Sequence, residues 1–436
     1  MTERTRTGLG VILLTVFLDL VGFSIIFPLF PAMLEHYLAL EGEGSLLASG
    51  ITWLRAAASG AGDNAELYTI VLFGGILGSL YSLLQFIASP LWGALSDRIG
   101  RRPVLIVTIA GTALSYLLWV FAGNFLLLVL SRTLGGAMAG NLSVATASIA
   151  DVTDAKNRAK GMGLLGAAFG VGFIFGPALG GLLSTLRIDE WMNLWGLNPF
   201  SASAFGAFVL ALVNWVWVLR RFDETLPPER RGSEQTQRTF NVIALFKPLP
   251  FRGVSHTNLV YFSFILAFSG MEFTLTFLAH DRFDYSPLEN TLLFLFTGFI
   301  VAFVQGGLVR RLAPRFGEQR LALLGLALLM PGLATIGLAP NEALLYTGLG
   351  VLAVGSAFTN PSLSALVSLY TPESHQGQAL GIFRSLGALA RAVGPLIAAG
   401  LYWQLGSVAP YVGGAVWMLL PFLLGLKLPA LPARNA

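Results

Sequence analysis

Long apolar runs separated by short polar stretches dominate the chain. Twelve runs occur, at residues 9–34, 67–92, 103–121, 124–150, 159–185, 201–221, 256–281, 289–311, 318–339, 341–370, 375–402 and 407–428. A helix needs about 20 apolar residues to cross the hydrocarbon core of a bilayer. The pattern therefore predicts an all-α membrane protein with twelve transmembrane helices, numbered spans 1 to 12 from here on.

Composition excludes a soluble protein. Of the 436 residues, 55% are hydrophobic and only 11% are charged, whereas soluble domains carry about 25% charged residues. The chain has no cysteine, which excludes disulfides and thiol chemistry, and its four histidines are scattered without metal-site spacing. We therefore predict no metal, no cofactor and no nucleic-acid partner, and expect membrane lipid to surround the chain.

The basic residues predict the orientation. If both termini are cytoplasmic, all but six of the 27 lysines and arginines lie on the cytoplasmic side. The exceptions are Arg55, Arg187 and Arg282 in outer loops and Arg132, Arg384 and Arg391 within spans. This asymmetry is the one that the positive-inside rule requires. We expect a bacterial inner membrane, with both termini cytoplasmic.

Three longer polar segments divide the chain. Residues 35–66 and 187–200 are expected outside, and within the first of them residues 45–54 could form a short helix at the membrane surface. Residues 222–255 are cytoplasmic, polar and proline-containing. The predicted domains are an N-terminal six-helix bundle (1–221), a linker (222–255) and a C-terminal six-helix bundle (256–436).

The two halves resemble each other. Corresponding residues recur at offsets of 217 to 219: Leu95, Arg98, Gly100, Gly136, Asn141, Ser143, Gly163, Gly176 and Pro177 with Leu312, Arg315, Gly317, Gly355, Asn360, Ser362, Gly381, Gly394 and Pro395. Any single glycine match is weak, but three separate regions agree on nearly the same offset, which is half the length of the chain. Two pseudo-symmetric six-helix bundles with a site between them, near the middle of the membrane, are typical of secondary transporters.

A charged motif lies in a very short loop between spans 2 and 3. Its residues are Gly93, Asp97, Arg98, Gly100, Arg101 and Arg102. The motif resembles the loop between spans 2 and 3 of the major facilitator superfamily, and the resemblance implies a role in gating. The alternative is a basic inner loop with an incidental acid. Asp97 aligns with Pro314 in the second half, so a gating contact made by this acid would exist in the first half only.

Span 5 carries a series of small residues. The series is Gly163, Gly172, Gly176, Pro177, Gly180 and Gly181. Glycines at such spacing let two helices approach closely in lipid, which is the plainer explanation. The full spacing also resembles the antiporter motif of major facilitator exporters, which implies export rather than uptake and a part in gating.

Three charged residues inside spans are candidates for proton coupling. Asp19 lies about ten residues into span 1 and Glu272 lies well inside span 7. A carboxylate near the bilayer centre costs several kcal/mol unless it is paired or protonated, which suits a proton carrier. Arg132 in span 4 resembles the arginine motif of the superfamily and is the candidate partner of Asp19. The alternatives are a permanent ion pair and an arginine bonded to backbone carbonyls.

Two further arginines and two asparagines are candidates for substrate binding. Arg384 and Arg391 lie seven residues apart in span 11, hence on one helix face. Paired guanidinium groups favour an anion, although Arg384 could instead reach the cytoplasmic interface. Asn141 and Asn360 are repeat mates in spans 4 and 10, and either cavity or packing hydrogen bonds would suit them.

Several segments resemble one branch of the superfamily. Residues 17–22 resemble span 1 of tetracycline efflux pumps, and residues 72–75, 268–272 and 383–395 closely resemble animal tetracycline-transporter-like proteins. The resemblance implies a proton-coupled antiporter that exports amphipathic organic anions or drugs. Alternatives on the same fold are a lipid or lysolipid transporter and a sugar or metabolite symporter. We expect a monomer and no enzymatic activity, since no ATP-binding or hydrolase motif occurs.

Overall fold

A computed structural model describes residues 3–40, 45–57, 65–153, 155–192, 194–231, 249–372 and 375–429. Within these residues the secondary structure is entirely helical, and twelve helices are long and apolar enough to cross a membrane. The prediction of an all-α protein with twelve spans is confirmed. Because the number of spans is even, both chain ends lie on one side, called the inner side here; the opposite side is the outer side.

The helices follow the apolar runs closely. Eight spans are single helices: Ala65–Ile99 (span 2), Arg101–Val120 (span 3), Ala155–Ser184 (span 5), Ser201–Arg221 (span 6), Val254–Phe283 (span 7), Glu318–Leu338 (span 9), Glu342–Tyr370 (span 10) and Gln376–Leu405 (span 11). Four are interrupted: Glu3–Ser24 and Phe30–Leu40 (span 1), Phe125–Met138 and Asn141–Val152 (span 4), Pro287–Phe303 and Arg310–Phe316 (span 8), and Ala409–Trp417 and Leu419–Leu426 (span 12). A further helix, Leu46–Ala57, covers the predicted surface helix.

Proline explains the interruption of span 1. A short 3-10 turn, Phe27–Leu29, joins the two helices of this span, and it contains Pro28. Proline lacks the backbone N–H that an α-helix needs and its ring clashes with the preceding turn. The break redirects the outer half of span 1 toward the second bundle.

Span 4 is broken by a side chain from span 2. The backbone leaves the helix at Ala139 and Gly140, and the indole Nε1 of Trp92 donates a hydrogen bond of 2.7 Å to the carbonyl of Ala137. A Cβ atom on Gly140 would lie 2.5 Å from the Trp92 side chain. Only glycine leaves room for the indole, so a new helix starts at Asn141 in the middle of the span.

Glycine seams join the bundles on the outer side. A Cβ atom on Gly75 of span 2 would lie 2.5 Å from Ala399 of span 11. Spans 5 and 8 meet in the same way, because Gly181 abuts Thr291, whose hydroxyl donates a hydrogen bond of 3.1 Å to the carbonyl of Pro177. These close approaches bring the outer halves of the bundles together.

The glycines of span 5 also pack against span 1. A Cβ atom on Gly176 would lie 2.6 Å from the carbonyl oxygen of Val21, and the Ser24 hydroxyl donates a hydrogen bond of 3.3 Å to the carbonyl of Gly172. Gly163 lies in the same helix, although its surroundings are outside the described side chains. The plainer explanation of this series, helix packing, therefore accounts for Gly172 and Gly176.

Adding a methyl group at this seam should destabilise the fold. In Gly180→Ala the new Cβ would overlap the carbonyl oxygen of Ile25, and overpacking of this kind costs about 1–3 kcal/mol. We expect a clearly lower midpoint of thermal unfolding in detergent. Gly170→Ala, in the same helix, is the matched control, because its Cβ would meet no described atom within 4 Å. Equal midpoints for the two variants would contradict this packing.

Candidate substrate cavity between the two bundles

A cavity with an empty volume of about 600 Å³ lies between the two halves of the chain. Spans 1, 2, 4 and 5 line it from one side, and spans 7 and 11 line it from the other. Both bundles therefore contribute side chains to one cavity, as expected of a substrate site between two six-helix bundles.

Aromatic side chains form most of the apolar wall. They are Phe23, Phe27, Phe30, Tyr81, Phe173 and Phe273. Phe27 stacks on Phe173 at 5.8 Å between ring centroids, and Phe30 meets Phe273 edge to face at 5.7 Å. The second contact crosses from span 1 to span 7. The wall is thus an apolar, aromatic surface made by both bundles.

Arg132 brings a buried positive charge to the cavity. Its side chain is only 3% exposed, and its guanidinium carbon lies 4.8 Å from the Trp119 ring and 5.8 Å from the Tyr116 ring. Cation–π contacts of this kind partly compensate for lost hydration. Among the described residues Nε has no hydrogen-bond partner. A buried guanidinium with an open donor favours an incoming acceptor.

Glu272 and Arg391 line the same cavity from the second bundle. They lie on spans 7 and 11, opposite Arg132 on span 4. Three of the charged residues singled out in the sequence therefore meet in one cavity. Two arginines face one acid there, so the charged lining is net positive when Glu272 is ionised.

Asp19 lies outside this lining, in a polar chain between spans. Its carboxylate accepts a hydrogen bond of 2.9 Å from Nδ2 of Asn141, and the Asn141 carbonyl in turn accepts a hydrogen bond from the Thr108 hydroxyl. No ion pair with Arg132 occurs in the described part of the chain. The expected partner of Asp19 is thus replaced by Asn141, whose position follows from the break in span 4.

Two predicted binding residues lie elsewhere. Arg384 is partly buried on span 11 and is not among the residues that line the cavity, whereas Arg391 is. Asn360 is exposed, although its repeat mate Asn141 is fully buried. The repeat therefore preserves the residue type at these two positions and not its surroundings.

The charged motif lies at the inner ends of spans 2 and 3 and is more helical than expected. Span 2 continues to Ile99, and the loop is reduced to Gly100 with φ 109°. Arg101 donates to Asp97 at 2.5 Å and to Asp151 of span 4 at 2.9 Å. The motif therefore joins three spans of the first bundle.

Glu224, after span 6, completes this cluster. Its carboxylate accepts hydrogen bonds from the backbone N–H groups of Arg101 (2.9 Å) and Arg102 (3.2 Å). These are orphan donors at the start of a helix, where a negative charge is also stabilised by the helix dipole. The sequence pattern does not single out Glu224, because nothing in it places the end of span 6 beside the start of span 3.

Loss of the Asp97 charge should shift the conformational equilibrium. Asp97 is 3% exposed and holds Arg101 within the first bundle. The resemblance implies that this acid meets the start of span 11 when the inner side is closed, where the helix dipole favours a negative charge. On this hypothesis Asp97→Asn should move the population away from the outward-open state. Thiol labelling of cysteines introduced on the inner side measures this shift. Asp223→Asn, an exposed acid nearby, is the control. Unchanged inner-side labelling would contradict a gating role.

The family model of the Major Facilitator Superfamily matches residues 12–338 and 308–436. The chain belongs to the major facilitator superfamily. It is 36% identical to "Major facilitator superfamily domain-containing protein 10" of Mus musculus, over 97% of this chain and 93% of that protein. It is 30% identical to "Tetracycline resistance protein, class C" of Escherichia coli, over 98% of this chain and 97% of that protein.

A solved structure gives the same result. The crystal structure of the human organic anion transporter MFSD10 (TETRAN) aligns with a TM-score of 0.77 at 33% identity, covering 97% of this chain and 100% of that chain. The predicted family, its tetracycline-transporter branch and the two-bundle fold are thereby confirmed. Members of the superfamily are transporters and not enzymes, so this chain is an integral membrane transporter of small molecules.

Proposed function

We propose that this transporter exports amphipathic organic anions or drugs in exchange for protons, by alternating access of one cavity to the two sides. The proposal is supported by the names of its relatives, which include an organic anion transporter and tetracycline resistance proteins. The single observation that carries it is the cavity itself, where Arg132 and Arg391 face Glu272 among aromatic rings.

The cavity chemistry suits an anion with an apolar body. Guanidinium groups bind carboxylates and phosphates bidentately, and the phenylalanine rings around them bind apolar surface. Glu272 lies among these groups, so the proton that it binds and the anion that the arginines bind would share one cavity. Exchange requires that the carrier crosses with either the anion or the proton bound, and not with both.

Asp19 is proposed as a second proton-binding group. It sits deep in span 1 with a single hydrogen bond from Asn141, and a buried carboxylate is stabilised by protonation. Arg132 lies in the same bundle, and it is proposed to respond to the change in the charge of Asp19. The glycine series of span 5 and the Asp97 motif are proposed to guide the movement of the bundles, with Gly93, Arg98 and Arg102 in the same inner segment.

The proton gradient is sufficient for this task. A proton driven by 100 mV releases ~2.3 kcal/mol, and one pH unit adds ~1.4 kcal/mol. Because ~1.4 kcal/mol corresponds to a tenfold ratio, the sum supports an accumulation of roughly 500-fold for a neutral substrate at one proton per cycle.

Orientation and organisation are part of the proposal. Both termini are cytoplasmic, the bundles are residues 1–221 and 256–436 with a linker at 222–255, and the protein acts as a monomer. Relatives occur in animals as well as in bacteria, so they do not favour a bacterial inner membrane over another membrane.

Transport into proteoliposomes tests the function. Purified protein is reconstituted, a pH gradient is imposed, and uptake of a fluorescent organic anion and of an organic cation is measured. The proposal predicts uptake of the anion that depends on the gradient and is abolished by a protonophore. Gradient-independent transport would remove proton coupling, and preference for the cation would remove the substrate class.

A further inference from the structure

An ion pair joins the two bundles at their outer ends. His280 lies in the last turn of span 7, and its Nε2 is 3.0 Å from Oε1 of Glu35 on the outer helix of span 1. The two residues are 245 positions apart in the chain. The pair was not among the candidates from the sequence, because neither residue belongs to a motif.

Both ring nitrogens of His280 face acceptors. Nδ1 lies 3.1 Å from the backbone carbonyl oxygen of Tyr285, and Nε2 faces the Glu35 carboxylate. Neither oxygen of this arrangement can donate when the carboxylate is ionised, so each nitrogen carries a proton. With an ionised Glu35 this geometry favours the imidazolium, and the contact is then a charge-assisted hydrogen bond.

An apolar seal lies between this ion pair and the central cavity. Phe30 and Phe273, which line the cavity, meet across the bundles at 5.7 Å. Beside them a Cβ atom on Gly74 would lie 2.7 Å from Leu34 and 3.1 Å from Phe277. All four side chains are buried, and they pack between the central cavity and the outer ends of spans 1 and 7.

Space on the other side of the seal leads to the ion pair. A second cavity, with an empty volume of about 440 Å³, is lined by His280 and by Pro28, Pro31 and Asn290, among others. The Oδ1 atom of Asn290 is buried there without a hydrogen-bond partner in the described part of the chain. His280 thus borders a second cavity, which shares no lining residue with the central one.

We propose that Glu35 and His280 form an outer latch, which holds the transporter closed to the outside and opens when His280 loses its proton. The inference rests on the alternating access of the proposed function. Opening the outer side separates span 1 from span 7, and this separation must break the pair. The latch therefore adds a cost to opening that depends on the charge of His280.

The surroundings of His280 determine the sign of the pH dependence. The charged or titratable groups that face it are Glu35 from span 1 and, from the loop after span 7, Asp284 and Tyr285. The two carboxylates favour the imidazolium. Stability of the latch is therefore present at low outer pH and is lost as the pH rises, so alkaline outer pH favours the outward-open state.

Labelling of a cysteine in the central cavity tests the latch without a transported substrate. The chain has no cysteine of its own, so Ser82→Cys, in the lining of the central cavity, gives a single reporter. A membrane-impermeant maleimide is applied from outside. Rates are divided by those of Thr185→Cys, an exposed position, at the same pH, which corrects for thiol reactivity.

In the reporter background, Glu35→Gln and His280→Gln should each raise the labelling rate about threefold, as expected for loss of a partly exposed ion pair. The exchange Glu35→Lys with His280→Glu should restore the original rate, which misfolded protein could not do. Glu190→Gln is the matched control, because its ion pair with Arg187 lies within one bundle and its loss should change nothing.

The pH profile completes the test. The labelling rate of the Ser82→Cys reporter should rise at alkaline outer pH. The rise should be smaller in His280→Lys, because lysine keeps its positive charge to a higher pH than histidine. Unchanged rates in both single variants, failure of the exchange, or the same pH profile with lysine would each overturn the latch. Because labelling requires no substrate or proton gradient, these outcomes are independent of whether the proposed transport activity is found.

Discussion

Asp19→Asn should abolish proton-driven transport and leave the protein folded. The amide has the shape of the carboxyl group, and its carbonyl can still accept the hydrogen bond that Asn141 donates at 2.9 Å. It cannot bind and release a proton. Gradient-driven uptake of an organic anion into proteoliposomes should therefore fall to the level of empty liposomes.

Two comparisons make this result specific. Exchange of labelled for unlabelled substrate needs no net proton movement and should persist in Asp19→Asn. It would show that the variant still binds substrate and still changes access between the two sides. Asp223→Asn, at an exposed position after span 6, should transport normally. If Asp19→Asn couples substrate movement to a pH gradient as the parent does, Asp19 has no part in coupling.

Arg391→Ala should reduce transport of an organic anion by about tenfold, the effect of losing one charge-assisted interaction of ~1.4 kcal/mol, and should spare an organic cation. The reason is position: Arg391 lines the cavity with Arg132 and Glu272, and without it the lining carries one arginine against one acid. The measurement is the ratio of anion to cation uptake in the same liposome assay.

Arg384→Ala provides the comparison within the same helix. Arg384 lies two turns from Arg391 and outside the cavity lining, so its loss should change the ratio much less. Equal losses of anion and cation transport in Arg391→Ala would show a structural role for the arginine. The organic-anion proposal would then lose its main physical support.

The length of apolar runs predicts the spans well, because the bilayer sets how many apolar residues a helix must have. The span 2 helix begins within two residues of its predicted start, and span 6 has the predicted bounds. The breaks in spans 1, 4, 8 and 12 were not predicted. The break at Gly140 depends on the Trp92 indole, a contact over 45 positions that no local pattern contains.

The charged residues of the site were predictable, and its shape was not. An ionisable residue inside a span is rare enough to be conspicuous, which is why Glu272, Arg132 and Arg391 could be selected. A phenylalanine in the cavity wall and one that faces lipid look the same in a sequence, so the aromatic lining could not be selected. Pairing also escaped prediction, since Asn141 rather than Arg132 contacts Asp19.

The indole stacked against Arg132 makes the transporter its own optical probe. Trp119 is fully buried, and its ring lies 4.8 Å from the charge at the cavity wall. The wavelength of maximum emission of an indole shifts with the electric field across the ring. An anion that neutralises Arg132 should therefore shift the emission maximum of Trp119. Occupancy of the cavity can thus be followed in the unlabelled protein, by difference from a Trp119→Phe variant.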